Sequence, residues 1–255
     1  MIKIILSGCC GHMGKVVSEC AAEREDLKIT AGIDRVSDSG LPYPVFESPE
    51  GLPSDADAVI DFSNPALLSS LLHFGKKTKT PLVLCTTGYS DEQVASIRQT
   101  AHELPIFYSR NMSLAVNLMI ELAKKAVRVL GGSFDVEIVE AHHNRKIDAP
   151  SGTALMIADA VSEASGKAMH YVYDRHSRTQ KREKTEIGIH SVRGGTLAGE
   201  HQVIFAGDDE VLTISHSAQS RKIFAQGALN AAAFLSGKGS GLYTMSDLIQ
   251  QEDLK

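Results

Sequence analysis

Residues 2–14, IKIILSGCCGHMG, decide the fold of this chain, because an apolar run enters a glycine-rich turn and then a helical pattern. A buried strand, a glycine turn and a helix in this order open a dinucleotide-binding unit, in which the amides at the helix start stabilise a pyrophosphate. Asp34 lies twenty residues beyond Gly14, where an acidic side chain can accept hydrogen bonds from a ribose. The spacing is GxxGxxG rather than GxGxxG, so an ordinary tight turn is the alternative interpretation.

The first half of the chain continues this alternation of strands and helices. Short apolar runs that alternate with helices are typical of βαβ units and a parallel sheet. We therefore predict an α/β fold with a Rossmann-like, doubly wound parallel sheet over residues 1–112. The predicted strands are IKIILSG, KITAGID, ADAVIDFS, PLVLCTTG and LPIFYS, and the predicted helices cover residues 13–23, 65–77 and 91–102.

Beyond residue 112 the pattern changes. After a long predicted helix at residues 114–130, four stretches alternate apolar and polar residues between glycine and aspartate turns. These are DVEIVEAHH, TEIGIHSVRGG, EHQVIFAGDD and EVLTISHSA. With one helix inserted at 153–165, they predict an α+β domain, residues 113–220, whose sheet is mixed and mostly antiparallel. A last helix, predicted at 223–235, returns the segment 221–255 to the first domain.

Composition excludes several classes of function. The formal net charge of −5, without a long basic run, argues against a nucleic-acid-binding surface. No stretch approaches the roughly 20 apolar residues that span a bilayer, and the first residues enter a strand rather than a signal peptide, so we expect a cytoplasmic protein with no membrane partner. The cysteines Cys9, Cys10, Cys20 and Cys85 lack CxxC spacing, which favours reduced packing thiols over metal ligands. We predict no metal site.

Two neighbouring residues bear on the choice of cofactor. Asp34 would repel a 2′-phosphate, which favours NADH, whereas the guanidinium of Arg35 can pair with that phosphate, which favours NADPH. We therefore predict NADH, NADPH or both. Residues 61–64 and 85–88 follow two further strands, where small polar side chains can approach a nicotinamide and its ribose. For the first of these loops a simple helix N-cap is the alternative.

The segment EAHHNRKIDAPSGT, residues 140–153, concentrates the chemistry. Two histidines with Arg145 and Lys146 supply proton donors and positive charge. Ser151, Gly152 and Thr153 open a helix whose amides and hydroxyls form an anion cradle, so a small dicarboxylate fits as substrate. Strand alternation places His142 and His143 on opposite faces, which predicts different roles for them. A structural histidine and a metal or phosphate site are the alternatives.

At this point the sequence resembles a known family. EAHHNRKIDAPSGTA is similar to the signature of the dihydrodipicolinate reductases, and GCCGHMG, CTTG, SRNMS and SGKGSGLYTMSDLI occur in that family's order. The resemblance implies reduction of 4-hydroxy-tetrahydrodipicolinate, or of its dehydrated form dihydrodipicolinate, to tetrahydrodipicolinate by NAD(P)H on the diaminopimelate route to lysine. It also implies a homotetramer, in which residues 113–220 bind substrate and pair their sheets.

The same resemblance implies roles for individual residues. His142 would be the proton donor, with Lys146 assisting. Substrate carboxylates would contact His143, Ser151, Gly152 and Thr153. The dinucleotide would contact Gly8, Cys9, Cys10, Gly11, His12, Met13, Asp34, Arg35, Cys85, Thr86, Thr87, Ser109, Arg110, Asn111 and Met112.

This chain departs from the usual family pattern at several cofactor positions. The family's loop usually reads GAxGRMG, so Cys9 and His12 replace an alanine and an arginine. Cys85 replaces the first glycine of GTTG, and we expect its side chain to lie where the cofactor backbone passes. Met112 stands where phenylalanine is common.

Two other functions remain open on the sequence. A related two-domain semialdehyde dehydrogenase would share the fold, but the segment at residues 140–153 suits a dicarboxylate better than an aldehyde. A non-catalytic NAD(P)-sensing protein would need the glycine turn but neither His142 nor Lys146.

Overall fold

The computed structural model describes residues 1–35 and 40–253, with side chains as far as residue 251. The chain divides into two compact units, which we call unit 1 (Met1–Leu114 with Arg221–Lys255) and unit 2 (Ala115–Ser220). The strands are β1 (Ile2–Ser7), β2 (Leu27–Ile33), β3 (Val45–Phe46), β4 (Ala58–Asp61), β5 (Leu82–Leu84), β6 (Pro105–Tyr108), β7 (Asp135–His142), β8 (His170–Val172), β9 (Glu186–Arg193), β10 (Glu200–Ala206), β11 (Val211–Ser217) and β12 (Gly241–Tyr243).

Six of the seven described helices lie close to predicted positions, whereas α7, beyond the last predicted helix, was not predicted. They are α1 (His12–Ala22), α2 (Leu68–Thr78), α3 (Asp91–Ala101), α4 (Leu114–Leu130), α5 (Gly152–Ser165), α6 (Lys222–Leu235) and α7 (Met245–Asp253), with short 3-10 turns at Pro49–Gly51, Pro65–Leu67 and Gly131–Ser133. Helix α3 begins with a capping box, in which the side chains of Ser90 and Gln93 accept each other's backbone N–H groups. None of the helices among the described residues is long and apolar enough to cross a membrane.

Unit 1 is built on a seven-stranded sheet in the order β3-β2-β1-β4-β5-β6-β12, and every described pairing in it is parallel. Strand β1 is buried on both faces. Ile4 and Leu6 pack with α1 and α6, whereas Ile5 packs with α2 and α3 on the opposite face. The predicted doubly wound sheet is therefore confirmed. Its strand order reverses between β1 and β4, so their carboxyl ends flank the crevice where such sheets bind ligands.

Unit 2 has a five-stranded sheet in the order β11-β10-β7-β9-β8. One side of this sheet is covered by α4 and α5, which contribute Met119 and Ile157 to a core shared with Ile138 and Phe205. Strand β10 pairs antiparallel with β7 and β11, but β9 pairs parallel with β7 and β8. The prediction of a mixed sheet is confirmed, but the sheet is not mostly antiparallel, because two of its four described pairings are parallel. The parallel half arises because α5 carries the chain back across the sheet between β7 and β9, which is the connection that parallel strands require.

Candidate active site

The glycine loop, residues 8–14, connects β1 to α1 and requires glycine at two positions. Gly8 has φ +78°, and a Cβ there would lie 2.5 Å from the carbonyl oxygen of Phe62. A Cβ on Gly14 would lie 2.2 Å from the carbonyl oxygen of Gly8, so the helix can approach the strand only without a side chain. Gly11 is the N-cap of α1, where no side chain caps the helix and no acidic residue stands in the first turn. The loop thus presents helix amides to an anion.

Asp34, at the end of β2, braces the glycine loop. Its Oδ2 accepts a hydrogen bond from the Cys10 amide at 2.9 Å, and its Oδ1 accepts one from the Arg35 amide at 2.8 Å. The carboxylate also lines a cleft of about 370 Å³ together with Gly8, Gly11, Arg35 and Ser63. A cleft lined by a hydrogen-bonded carboxylate and by the amides at a helix start fits the ribose and pyrophosphate of a dinucleotide.

Asp61, at the end of β4, connects the two further loops that the sequence singled out. Its carboxylate is fully buried and accepts hydrogen bonds from Ser63 Oγ at 2.5 Å, Thr86 Oγ1 at 2.7 Å and Tyr89 OH at 3.1 Å. Burial raises the pKa of the Tyr89 hydroxyl, and the Asp61 charge raises it further, so this tyrosine remains a donor. Asn64 accepts from the Ala66 amide, as expected for the N-cap alternative.

Several predicted cofactor residues lie at the same edge of the sheet as Asp34 and Asp61, but not all of them expose their side chains. Cys85 is buried in the core of unit 1 with its Sγ 3.8 Å from the Val83 carbonyl, so the expectation that this side chain lies in the path of the cofactor is wrong. Cys9 and Met112 are buried too. Ser109 and Asn111 exchange hydrogen bonds within the turn after β6, and Arg110 is exposed. Any dinucleotide contact with Cys85 or Met112 would therefore involve the backbone.

Unit 2 contains a group of buried and half-buried charged and polar side chains, which we call the Glu140 cluster: Glu140, His142, Ser151, Arg193 and His201. Glu140 is fully buried, and its two oxygens each lie 2.8 Å from a guanidinium nitrogen of Arg193. Oε2 also lies 2.6 Å from Nδ1 of His142, and Oε1 accepts the Ser151 amide at 3.1 Å. Burial by itself would raise the pKa of Glu140, but hydrogen bonds from Arg193, Ser191, His142 and Ser151 lower it to about 2.

His201 completes this cluster from the neighbouring strand β10. Its Nε2 lies 3.0 Å from Ser151 Oγ, and its ring meets the His142 ring edge-on with centroids 5.3 Å apart. Burial, and then the charge of His142, lower the pKa of His201 to about 4, so this imidazole is neutral at neutral pH. A Cβ on Gly199 would lie 3.0 Å from Nε2 of His142, so glycine leaves room for this ring.

The predicted substrate residues belong to the cluster or lie next to it along the chain. Ser151 is the N-cap of α5, and its Oγ accepts the Ala154 amide. Gly152 begins the helix, and a Cβ there would meet no atom within 4 Å. Lys146 Nζ lies 2.8 Å from Asp148 Oδ1 and lowers the pKa of that carboxyl. His143 follows the last residue of β7, and its Nδ1 is buried without a hydrogen-bond partner among the residues that the structure describes.

Sequence reasoning missed Glu140, Arg193 and His201 as members of the site. For Glu140 the sequence did contain a signal. Residues two apart on a strand share a face of the sheet, so Glu140 lies beside His142. The other two depend on strand register: Arg193 of β9 stands opposite His142, and His201 of β10 stands opposite Glu140. The register between strands that are far apart in the sequence cannot be read from the local residue pattern.

The sequence matches the two profiles of one family over nearly its whole length. The profile described as dihydrodipicolinate reductase, N-terminus, covers residues 2–112, and that described as dihydrodipicolinate reductase, C-terminus, covers residues 115–249. The 4-hydroxy-tetrahydrodipicolinate reductase of Caldanaerobacter subterraneus is 51% identical over 251 residues, 98% of this chain and 99% of the relative. The enzyme of the same name from Clostridium botulinum is 50% identical and covers 98% of each chain.

Solved structures agree with these sequence matches. A dipicolinate-bound dihydrodipicolinate reductase from a Paenisporosarcina species superposes with a TM-score of 0.80 at 25% identity, over 96% of this chain and 97% of that one. A scyllo-inositol dehydrogenase from Lactobacillus casei with bound NAD(H) has a TM-score of 0.59 at 14% identity, over 92% and 88%, which shows a shared fold.

Proposed function

The chain belongs to the dihydrodipicolinate reductase family, and from that premise we propose which of its residues carry the reaction. It is an NAD(P)H-dependent oxidoreductase that reduces 4-hydroxy-tetrahydrodipicolinate, or its dehydrated form dihydrodipicolinate, to tetrahydrodipicolinate on the diaminopimelate route to lysine. One observation supports the residue assignment most strongly. A single buried carboxylate, Glu140, bonds both to the imidazole of His142 and to the amide at the start of α5.

In this proposal His142 is the proton donor. The Glu140 contact at Nδ1 fixes the orientation of the ring, which leaves Nε2 as the nitrogen that delivers a proton. Arg193 holds Glu140 ionised by a bidentate pair, so Glu140 stays an acceptor for Nδ1 of His142. Glu140 and Arg193 are thus positioning residues, since they act through His142.

The substrate carboxylates bind at the start of α5. The helix start at Gly152 and Thr153, the open space beside Gly152 and the nearby His143 suit one carboxylate. Lys146 anchors the substrate or assists proton transfer. Its present partner Asp148 is largely exposed, so the ion pair is weak and a substrate carboxylate can replace it.

A nicotinamide cofactor supplies the hydride when bound. In unit 1 its pyrophosphate is held by backbone amides of residues 8–13 and its ribose by Asp34, while residues 85–87 and 109–112 approach the nicotinamide end. We propose that both NADH and NADPH are used. Asp34 is held as an acceptor for ribose hydroxyls, and the exposed Arg35 beside it can pair with a 2′-phosphate.

The proposal includes a homotetramer and a cytoplasmic location. Apolar side chains are exposed on two strands of unit 2, namely Val192 of β9 and Val211 and Leu212 of β11, as expected if these sheets pair between subunits. Sedimentation equilibrium measures the oligomeric state.

The four cysteines are free thiols, which suits a reducing compartment.

The assignment is tested by substrate-dependent oxidation of NADH and of NADPH, with substrate generated in situ by a coupled synthase. The double variant His142→Ala, Lys146→Ala should lower the rate by about a hundred- to ten-thousandfold, because the general acid is lost. The matched control Lys167→Ala, His170→Ala removes the same residue types from exposed positions of unit 2 and should keep the wild-type rate.

Two outcomes would contradict this assignment. Full activity of the double variant would remove both residues from the chemistry. Folded, dinucleotide-binding wild-type protein that oxidises neither cofactor would favour the sensing function. Reduction of NAD⁺ or NADP⁺ with a semialdehyde as the substrate would instead favour the related dehydrogenase.

A further inference from the structure

The glycine loop of this chain carries two adjacent thiols beside a carboxylate. The Sγ atoms of Cys9 and Cys10 are 3.9 Å apart. One ligand atom from each cysteine and one from Asp34 lie within 4.8 Å of one another. Cys9 is fully buried and Cys10 is partly exposed, so a small ion can reach the group from the Cys10 side.

These distances suit a metal ion better than a direct sulfur–sulfur bond. Adjacent residues have Cα atoms only about 3.8 Å apart, below the roughly 4.4–6.8 Å that disulfides span. Two zinc–sulfur bonds of about 2.3 Å at a tetrahedral angle place the sulfurs roughly 3.8 Å apart. The observed separation of 3.9 Å matches this value.

Asp34 can serve as the third ligand without releasing the loop. Each of its oxygens accepts one backbone amide, from Cys10 or from Arg35, and a carboxylate oxygen has a second lone pair. Two thiolates and a carboxylate leave the fourth position of zinc to water, a set in which the soft sulfur ligands select zinc or cadmium over magnesium and calcium.

We propose that Cys9, Cys10 and Asp34 form an inhibitory binding site for a thiophilic divalent cation, Zn²⁺ above all, that excludes the dinucleotide. Binding replaces two S–H bonds by two metal–sulfur bonds and releases two protons, with no change of oxidation state. Asp34 lines the cleft assigned to the cofactor, so a bound cation takes the acceptor that the ribose would use. The exclusion of the dinucleotide rests on the proposed function, whereas the existence of the cation site does not.

The experiment measures Zn²⁺ binding to the reduced full-length chain by dialysis and elemental analysis, without dinucleotide or substrate. Cd²⁺ serves as a second probe, through the ultraviolet charge-transfer band of cadmium–thiolate bonds. Wild type should bind one equivalent. Cys10→Ala should lower the affinity at least roughly a hundredfold, whereas Cys20→Ala, which removes another buried thiol of unit 1, should bind as wild type does.

A second variant guards against misfolding of the first. Cys9→Ala introduces the alanine that the family's loop usually carries, and it should also lose the cation and the cadmium–thiolate band.

Saturating NADH should release the zinc from wild type. Binding that survives both cysteine variants, or zinc retained at saturating NADH, would overturn the proposal. Because cation binding is measured without cofactor, its failure would leave the reductase assignment standing.

Discussion

In the proposed function, the glycine loop of unit 1 and the Glu140 cluster of unit 2 both serve anionic ligands, but they do so with different atoms. The loop uses backbone amides, and its buried Cys9 side chain turns into the core. The cluster uses side chains that neutralise one another, with Arg193 and His142 on the two oxygens of Glu140.

This difference teaches where each site tolerates change. A site of backbone amides depends on chain geometry, so alanine and arginine of the family's loop can be replaced by Cys9 and His12, whereas glycine is required at positions 8 and 14. A buried set of compensating charges depends on each member, because removing one leaves its partner uncompensated. Three predictions sharpen this contrast.

The largest effect is expected for Glu140→Gln. The guanidinium of Arg193 would lose its buried counter-charge, which should cost about 3–5 kcal/mol of unfolding free energy, and His142 would lose the acceptor that fixes its ring. Urea unfolding and the reductase rate measure the two effects. Glu163→Gln, at an exposed position of α5, is the matched control. A loss in Glu140→Gln no larger than in that control would refute the charge-compensated description of the cluster.

An intermediate effect is expected from acid. His201 has its pKa lowered to about 4 by burial, so the unfolded chain binds more protons and stability should fall as pH decreases from about 6.5 to 4. The loss at pH 5 is up to about 2 kcal/mol. The carboxyl of Glu140, with a pKa lowered to about 2, contributes stability that is lost only below about pH 4.5. Urea unfolding at pH 7 and pH 5 should therefore show a smaller difference in His201→Gln than in wild type.

His170→Gln, on the exposed residue of β8, should keep the wild-type pH dependence. If His201→Gln and wild type lost the same stability between pH 7 and pH 5, the neutral buried state of His201 would be wrong.

The smallest effect on stability is expected in the glycine loop. Gly8→Ala places a side chain at φ +78° against the Phe62 carbonyl and should cost about 1–2 kcal/mol or somewhat more. Gly11→Ala meets only the Gly8 carbonyl, at 3.3 Å, so it should disturb folding less while its methyl group narrows the cleft. For each variant, urea unfolding measures the loss of stability and dinucleotide titration measures the change in cofactor affinity. Equal stability losses in both variants would contradict the geometric account of the loop.

Local patterns predicted most of the regular structure. Helix α4 begins and ends at the predicted residues, and α5 and α6 each begin one residue before the prediction and end where predicted. Strands β3, β8 and β12, of two or three residues each, were not predicted. Short strands like these carry too few residues for an alternating pattern, and they form because a neighbouring strand edge is available to pair.

The sequence by itself determined the order of elements, the glycine positions of the loop and the segment that contains His142, because these depend on local spacing and on residue type. Only the tertiary structure decided that Cys85 turns into the core and that Arg193 and His201 join Glu140. The reason is strand register: β7, β9 and β10 are separated along the chain by helices and turns, and their alignment is set by packing of the whole sheet rather than by any one segment.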